Sequence, residues 1–155
     1  MKKKRACYVI TLSKVFPFYH NRKGEDTGFR ENFLSGKKLH TMRMNYPLWV
    51  KRFKKIDQDE AYISLREWTG LPYRSKQSII KDLYKSDGIG LEMYTDSDVG
   101  ALITRSTKLN NFKVIPDAAI AEHDGLTLAD YRDWFWFAKP WDAIAVIHFT
   151  SFRYN

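Results

Sequence analysis

The stretch SGKKLHTMR, Ser35 to Arg43, sets two lysines, a histidine, a threonine and an arginine directly behind a glycine. A threonine hydroxyl is a weak nucleophile until a neighbouring base takes its proton. A lysine serves as that base only when burial or nearby positive charge pulls its pKa down from about 10.4. Lys37, His40 and Arg43 are close enough in sequence to supply such charge to Lys38. In a regular strand positions 38 and 41 face opposite ways, so Lys38 and Thr41 meet only if Lys38 lies in the turn and the strand begins after it. Two plainer uses fit the same residues: Lys37, Lys38 and Arg43 hold a phosphate, or they form a solvated basic turn.

A second stretch, REWTGLPYRSKQ, places Trp68 and Tyr73 among Arg66, Arg74 and Lys76. Aromatics interleaved with cations suit stacking on exposed bases while the cations hold phosphates. A strand-to-turn corner, with Trp68 and Tyr73 capping the core and Pro72 in the turn, accounts for the same pattern. In EHDGLT, His123, Asp124 and Gly125 precede a helix. A carboxylate there can orient water or take a proton, whereas Asp-Gly alone simply turns the chain. The four histidines, His20, His40, His123 and His148, lack ligand spacing such as HExxH. Gly88 and Gly90 lack the rest of a dinucleotide fingerprint, so neither a metal nor a cofactor is expected. His40 and His123 are acid and base candidates for RNA cleavage, with little else in support.

These residues need elements to hold them. ACYVITLS reads as a first strand, followed by a long loop punctuated by Pro17, Gly24 and Gly28. Phe29 and Phe33, four apart with Gly36 as a stop, suit a short helix, and KKLHTMR reads as the next strand. Pro47 opens a helix carrying Trp49, Val50 and Phe53, with Lys51, Arg52, Lys54 and Lys55 on its polar side. EAYISLREW alternates as a strand, SIIKDLY fits strand or helix, and IGLEMY and FKVIPDAAIA read as strands. TLADYRDWFWF, with Thr127 three before Asp130, is a capped helix with Leu128, Tyr131, Trp134 and Phe135 on its apolar stripe. DWFWFAKPW is an aromatic cluster, mainly core, and WDAIAVIHFTSF closes as a buried strand. Short strands with two or three short helices make an α+β fold.

The chain of 155 residues is expected to form one domain, with residues 1–6 as a mobile basic arm. A 44% hydrophobic and 15% aromatic composition favours a packed core over disorder. Cys7 is the only cysteine, which excludes an intrachain disulfide, and its apolar setting reads as a buried, inert thiol. MKKKRACYVITLSK has the basic head of a secretory signal, but its apolar run is too short and no cleavage site follows. No stretch reaches membrane-spanning length, so a soluble cytoplasmic protein is expected. Residues 1–56 hold 15 Lys/Arg against 3 Asp/Glu, a net +12, within a chain of net +8. Such an asymmetric charge fits a polyanionic partner, nucleic acid first, or a solvated basic face.

Taken in order, GKKLHTMR, AEHDGLTLADYRDWF and the closing strand AIAVIHFTSF resemble the ASCH family of PUA-like domains, over roughly residues 7–152. The first stretch matches the family's G-x-K-x-x-T-[hydrophobic]-R element. REWTGLPYRSKQ stands outside that general pattern and reads as a subgroup feature. The resemblance implies a small, strongly curved β-barrel with flanking short helices, and a cleft for RNA or a modified nucleoside. Some small members are acetylcytidine amidohydrolases that use a lysine, a threonine and a glutamate. Lys38 and Thr41 match the first two, and Asp124, one methylene shorter, stands at the third. Arg43 becomes a ligand anchor. The resemblance thus implies either a binding module or an amidohydrolase acting on an acylated nucleoside.

Overall fold

The computed structural model describes residues 3–97, 100–104, 112–135 and 142–155. Its elements in chain order begin with β1 (Ala6–Thr11), α1 (Phe29–Leu34), β2 (His40–Arg43), α2 (Tyr46–Asp57), β3 (Ala61–Trp68) and β4 (Gln77–Leu83). They continue with β5 (Gly90–Ser97), β6 (Gly100–Thr104), β7 (Lys113–Ile115), α3 (Asp117–His123), α4 (Leu128–Trp134) and β8 (Ile144–His148). The α+β expectation is met. Among the described residues, eight strands form two open sheets, ordered β1-β3-β4 and β2-β8-β5-β6-β7. No described pairing joins the two into a closed barrel.

In the smaller sheet β1 runs parallel to β3, and β4 runs antiparallel to it. Ala61, Ile63 and Leu65 are fully buried, as their alternation requires. A shift of register between Leu65 and Arg66 marks where β3 leaves that regular pattern and carries Trp68 toward the turn. The larger sheet is antiparallel throughout, with β8 between β2 and β5. All five residues of β8 are buried, so its continuous apolar run lies inside the molecule. Helix α2 buries Tyr46, Trp49, Phe53 and Ile56, spaced three, four and three apart, and turns its lysines outward. Burial of each such side chain contributes about 1.5–3 kcal/mol. Pro47 lies in its first turn, where a missing N–H costs nothing.

Three expectations are corrected. FKVIPDAAIA is not one strand: β7 stops at Ile115, and Pro116 caps α3. Its apolar residues lack the alternation of a half-buried strand, and proline's fixed φ suits a helix start. Four α-helices form where two or three were expected, and β6 was not foreseen. Cys7 is exposed rather than buried, because β1 is an edge strand and Ala6 and Cys7 lie at its open end. SIIKDLY resolves as strand β4. Ala6 opens β1, and Arg5 donates to Asp59 Oδ2 at 2.6 Å. Part of the aromatic cluster, residues 136–141, lies outside the described residues. Among those described, no helix is long and apolar enough to cross a membrane.

Candidate functional site

Ser35 caps the C-terminus of helix α1, and Gly36 adopts the left-handed conformation (φ 80°) that reverses the chain. The N–H groups of Lys37 and Lys38 both reach Asn32 O, at 2.8 and 2.9 Å, so Lys38 lies in the turn and the strand starts after it. Leu39 N–H then donates to His123 O at 2.7 Å, and Phe149 N–H donates to Leu39 O at 2.9 Å. These bonds bring the residue before Leu39 against the residue after His123. Lys38 and Asp124 therefore meet.

The Lys38 ammonium donates to Asp124 O at 2.7 Å and to Asp124 Oδ1 at 3.0 Å, and stands 4.0 Å above the Phe29 ring. Both residues of the pair are buried. Burial pulls Lys38 below its ordinary pKa, partly offset by the Asp124 carboxylate and reinforced by Arg43. Burial also pushes Asp124 up, but the Lys38 charge and then His40 outweigh it and hold the carboxyl below its usual range. Asp124 is presented by Gly125 (φ 78°), where a Cβ would come within 3.2 Å of Lys38 Cβ. Only glycine combines that backbone with so close an approach.

Lys38, Thr41, Arg43 and Asp124 line one cavity of about 610 Å³ together with Trp68 and Tyr73. Thr41 and Arg43 share a face of β2. Arg43 Nη2 donates to Thr11 O at 2.6 Å, which fixes its guanidinium in the cavity wall. Trp68 and Tyr73 lie with ring centroids 5.1 Å apart. Tyr73 is 89% exposed and has φ 63°, an uncommon and costly conformation for a bulky side chain. The turn imposes it: Gly70 N–H donates to Ser75 Oγ at 3.0 Å, and that hydroxyl donates to Leu71 O at 2.8 Å. Strain is thus spent on holding an aromatic ring outward at the cavity mouth.

The other three candidate cations do not line the cavity. Arg66 is tied to Ser64 Oγ at 2.9 Å and to Gln77 Oε1 at 3.3 Å. Arg74 and Lys76 stand exposed on the turn beyond Tyr73. Sequence reasoning missed the walls supplied by Lys14, Phe29, Trp134 and Phe135. It also missed a buried polar cluster behind the site. His40 Nε2 lies 2.5 Å from Tyr154 Oη, and His40 Nδ1 faces Asp124 Oδ1 at 3.4 Å. His148 Nε2 donates to Glu92 Oε1 at 2.8 Å. Burial pulls His148 down to about 4 and His40 below its ordinary value, so both rings are neutral at pH 7. Among the described residues no group of three or more His, Cys, Asp or Glu is placed to hold a metal.

No protein-family model, curated protein or solved structure matches this chain.

Proposed function

We propose that the chain is an ASCH-type, PUA-like domain that binds RNA by taking a nucleobase or modified nucleoside into the cavity. In this reading the two sheets are the walls of the family's curved barrel, and the protein works in the cytoplasm. One observation carries it: Lys38, Thr41, Arg43 and Asp124 converge with Trp68 and Tyr73 on a single cavity of about 610 Å³. That volume lies in the range of small-molecule sites, about 300–1,000 Å³. Aromatic walls suit the flat faces of a base, and a few fixed polar groups suit its edge. Tyr73 supplies a stacking surface at the mouth, and Lys14, Arg74 and Lys76 are exposed cations for phosphates.

The test is binding of a fluorescently labelled single-stranded RNA across a salt series. Each phosphate contact steepens the slope of log K against log[salt] by about 0.7. Trp68→Ala is expected to weaken binding by about 1–3 kcal/mol. A flat salt response overturns the reading.

A second reading, an amidohydrolase acting on an acylated nucleoside such as acetylcytidine, has its own support. Burial depresses Lys38 in the same cavity as Thr41 and Asp124. A neutral Lys38 takes the Thr41 proton as Oγ attacks the acyl carbon and passes it to the nitrogen of the departing amine as the C–N bond breaks. Lys38 then takes a proton from a water oriented by Asp124 and returns it to Thr41 Oγ as the acyl group leaves as the acid. The carbonyl and carboxylate oxygens of Asp124 both accept from the ammonium, which favours a charged Lys38 and ranks binding first. Acetylcytidine hydrolysis that survives Lys38→Ala removes this mechanism.

A further inference from the structure

Behind the cavity, the Asp124 carboxylate is backed by groups that end on residues 152–155. Neither His40 nor Tyr154 lines the cavity. His40 Nδ1 is buried and, apart from Asp124 Oδ1 at 3.4 Å, has no polar partner among the described residues. Asp124 is ionised and can only accept, so the proton between the two belongs on Nδ1. A neutral imidazole carrying its proton there has a lone pair on Nε2, and Tyr154 Oη, 2.5 Å away, must donate to it. Burial pushes the Tyr154 hydroxyl far above the ordinary phenol value, which keeps its proton on oxygen. The direction follows: Tyr154 O–H donates to His40 Nε2, and His40 Nδ1–H faces Asp124 Oδ1 across 3.4 Å, a charge–dipole contact longer than a good hydrogen bond.

The tyrosine is itself clamped. Glu92 Oε1 accepts from Tyr154 N–H at 2.8 Å, and Oε2 accepts from Asn155 N–H at 3.1 Å. Asn155 Nδ2 donates to Ile103 O at 3.1 Å. Glu92 is fully buried, and a buried carboxylate is a costly way to hold a segment that only needs to pack. What the clamp adds over an apolar contact is a fixed place for the Tyr154 hydroxyl.

We propose that Tyr154 and His40 are positioning residues of the cavity: through them the segment 152–155 holds the Asp124 carboxylate in one orientation. Lys38 and His40 both approach Oδ1, and Asp124 lines the cavity, so a fixed Oδ1 fixes the plane of the carboxylate that a ligand meets. The groups facing this line are Lys38 and Arg43 from the β2 segment, His123 from α3, His148 from β8 and Glu92 from β5. Glu122 adds charge near Tyr154. The proposal rests on the cavity being a ligand site, but its first test does not.

In the full chain with 15N-labelled histidine, the NMR spectrum at pH 7 is expected to show His40 as the neutral Nδ1–H tautomer. Tyr154→Phe keeps the ring and removes the hydroxyl. It is expected to raise the Asp124 carboxyl titration, followed by 13C, and to weaken labelled single-stranded RNA about two- to tenfold. Glu92→Gln loosens the clamp and is expected to act in the same direction, so the test survives if Tyr154→Phe does not fold. An Nε2–H tautomer overturns the proposal, as does an Asp124 titration unchanged by both variants. RNA that fails to bind the unmodified chain, with tautomer and titration as expected, overturns the functional reading instead.

Discussion

Two clusters, each of a basic side chain, an aspartate and a histidine, join the N-terminal part of this chain to its C-terminal helices. One is Arg22, Asp130 and His20; the other is Lys38, Asp124 and His40. The first has the shorter ion pair, 2.6 Å against 3.0 Å, yet its arginine side chain is 44% exposed while that of Lys38 is 1% exposed. His20 has a backbone partner on each ring nitrogen: Nε2 lies 3.0 Å from Asp130 O, and Nδ1 accepts from Arg22 N–H at 2.9 Å. Its ring packs on Phe16 and Trp134, and the cluster pins the long loop after β1 onto α4. Among the described residues His40 instead has side-chain neighbours only, and its aspartate lines a cavity. Satisfaction by backbone marks a histidine that holds a loop. A line of side-chain neighbours, with Nδ1 short of a full hydrogen bond, marks one whose proton has somewhere to act.

The largest expected effect separates the two ion pairs. Lys38→Ala leaves Asp124 buried without its main counter-charge and is expected to destabilise the fold by about 3–5 kcal/mol. Arg22→Ala removes a bond of better length but greater exposure, and is expected to cost much less, because solvent screens the arginine's charge. Urea unfolding at pH 7 measures both. Equal losses erase the distinction between the clusters.

Acid tests the inner cluster as a whole. His148 is pulled down to about 4 in the folded chain, chiefly by burial, against about 6.5 when unfolded. Between those values the unfolded chain binds a proton that the folded chain refuses. Stability is therefore full above about pH 6.5 and declines as the pH falls toward 4, by about 3 kcal/mol from this residue. His40, also depressed by burial, adds to the loss in the same direction. Glu92 does so lower still: burial raises it, but His148 and the backbone N–H groups hold it below its ordinary value. Urea midpoints from pH 7.5 to 4.5 report the decline, and a flat profile contradicts the assignment of neutral buried rings.

The outer parts of the site were more legible in the sequence than the inner ones. Lys38, Thr41 and Asp124 reach one cavity because local signals position them: Gly36 and Gly125 fix two turns, and one backbone bond from Leu39 to His123 brings the turns together. Trp68 and Tyr73 are five residues apart in one turn, so their pairing was also local. His40 and Tyr154 are 114 residues apart, and Glu92 and His148 are 56 apart. No spacing rule links them; they meet because β8 pairs with both β2 and β5, which puts His148 opposite His40 and Gly90. The exposure of Cys7 was hidden for a related reason. Whether a strand lies at an edge is a property of the sheet, not of its own residues.

The smallest effect sharpens the contrast between the two aspartates. Asp130 sits within α4, where a helix places it without help from a special residue. Asp124 sits at the end of α3 and depends on the turn that follows. Gly125→Ala must adopt φ near 78° and must also bring its Cβ within 3.2 Å of Lys38 Cβ, which the backbone bonds from Lys38 N–H to Asn32 O and from Leu39 N–H to His123 O hold in place. Gly36→Ala adopts the same kind of φ, but its Cβ meets nothing within 4 Å. Backbone strain alone costs about 1 kcal/mol, so Gly36→Ala is expected near that value. Gly125→Ala is expected to cost about 2–3 kcal/mol, with the excess measuring the displacement of Lys38. If the excess comes from that contact, Lys38→Gly, which removes the Cβ, should abolish it when the two changes are combined, whereas Lys38→Ala, which keeps the Cβ, should not. A double-mutant cycle in urea reads that coupling directly, and additive losses would mean that Gly125 serves its turn and not the lysine.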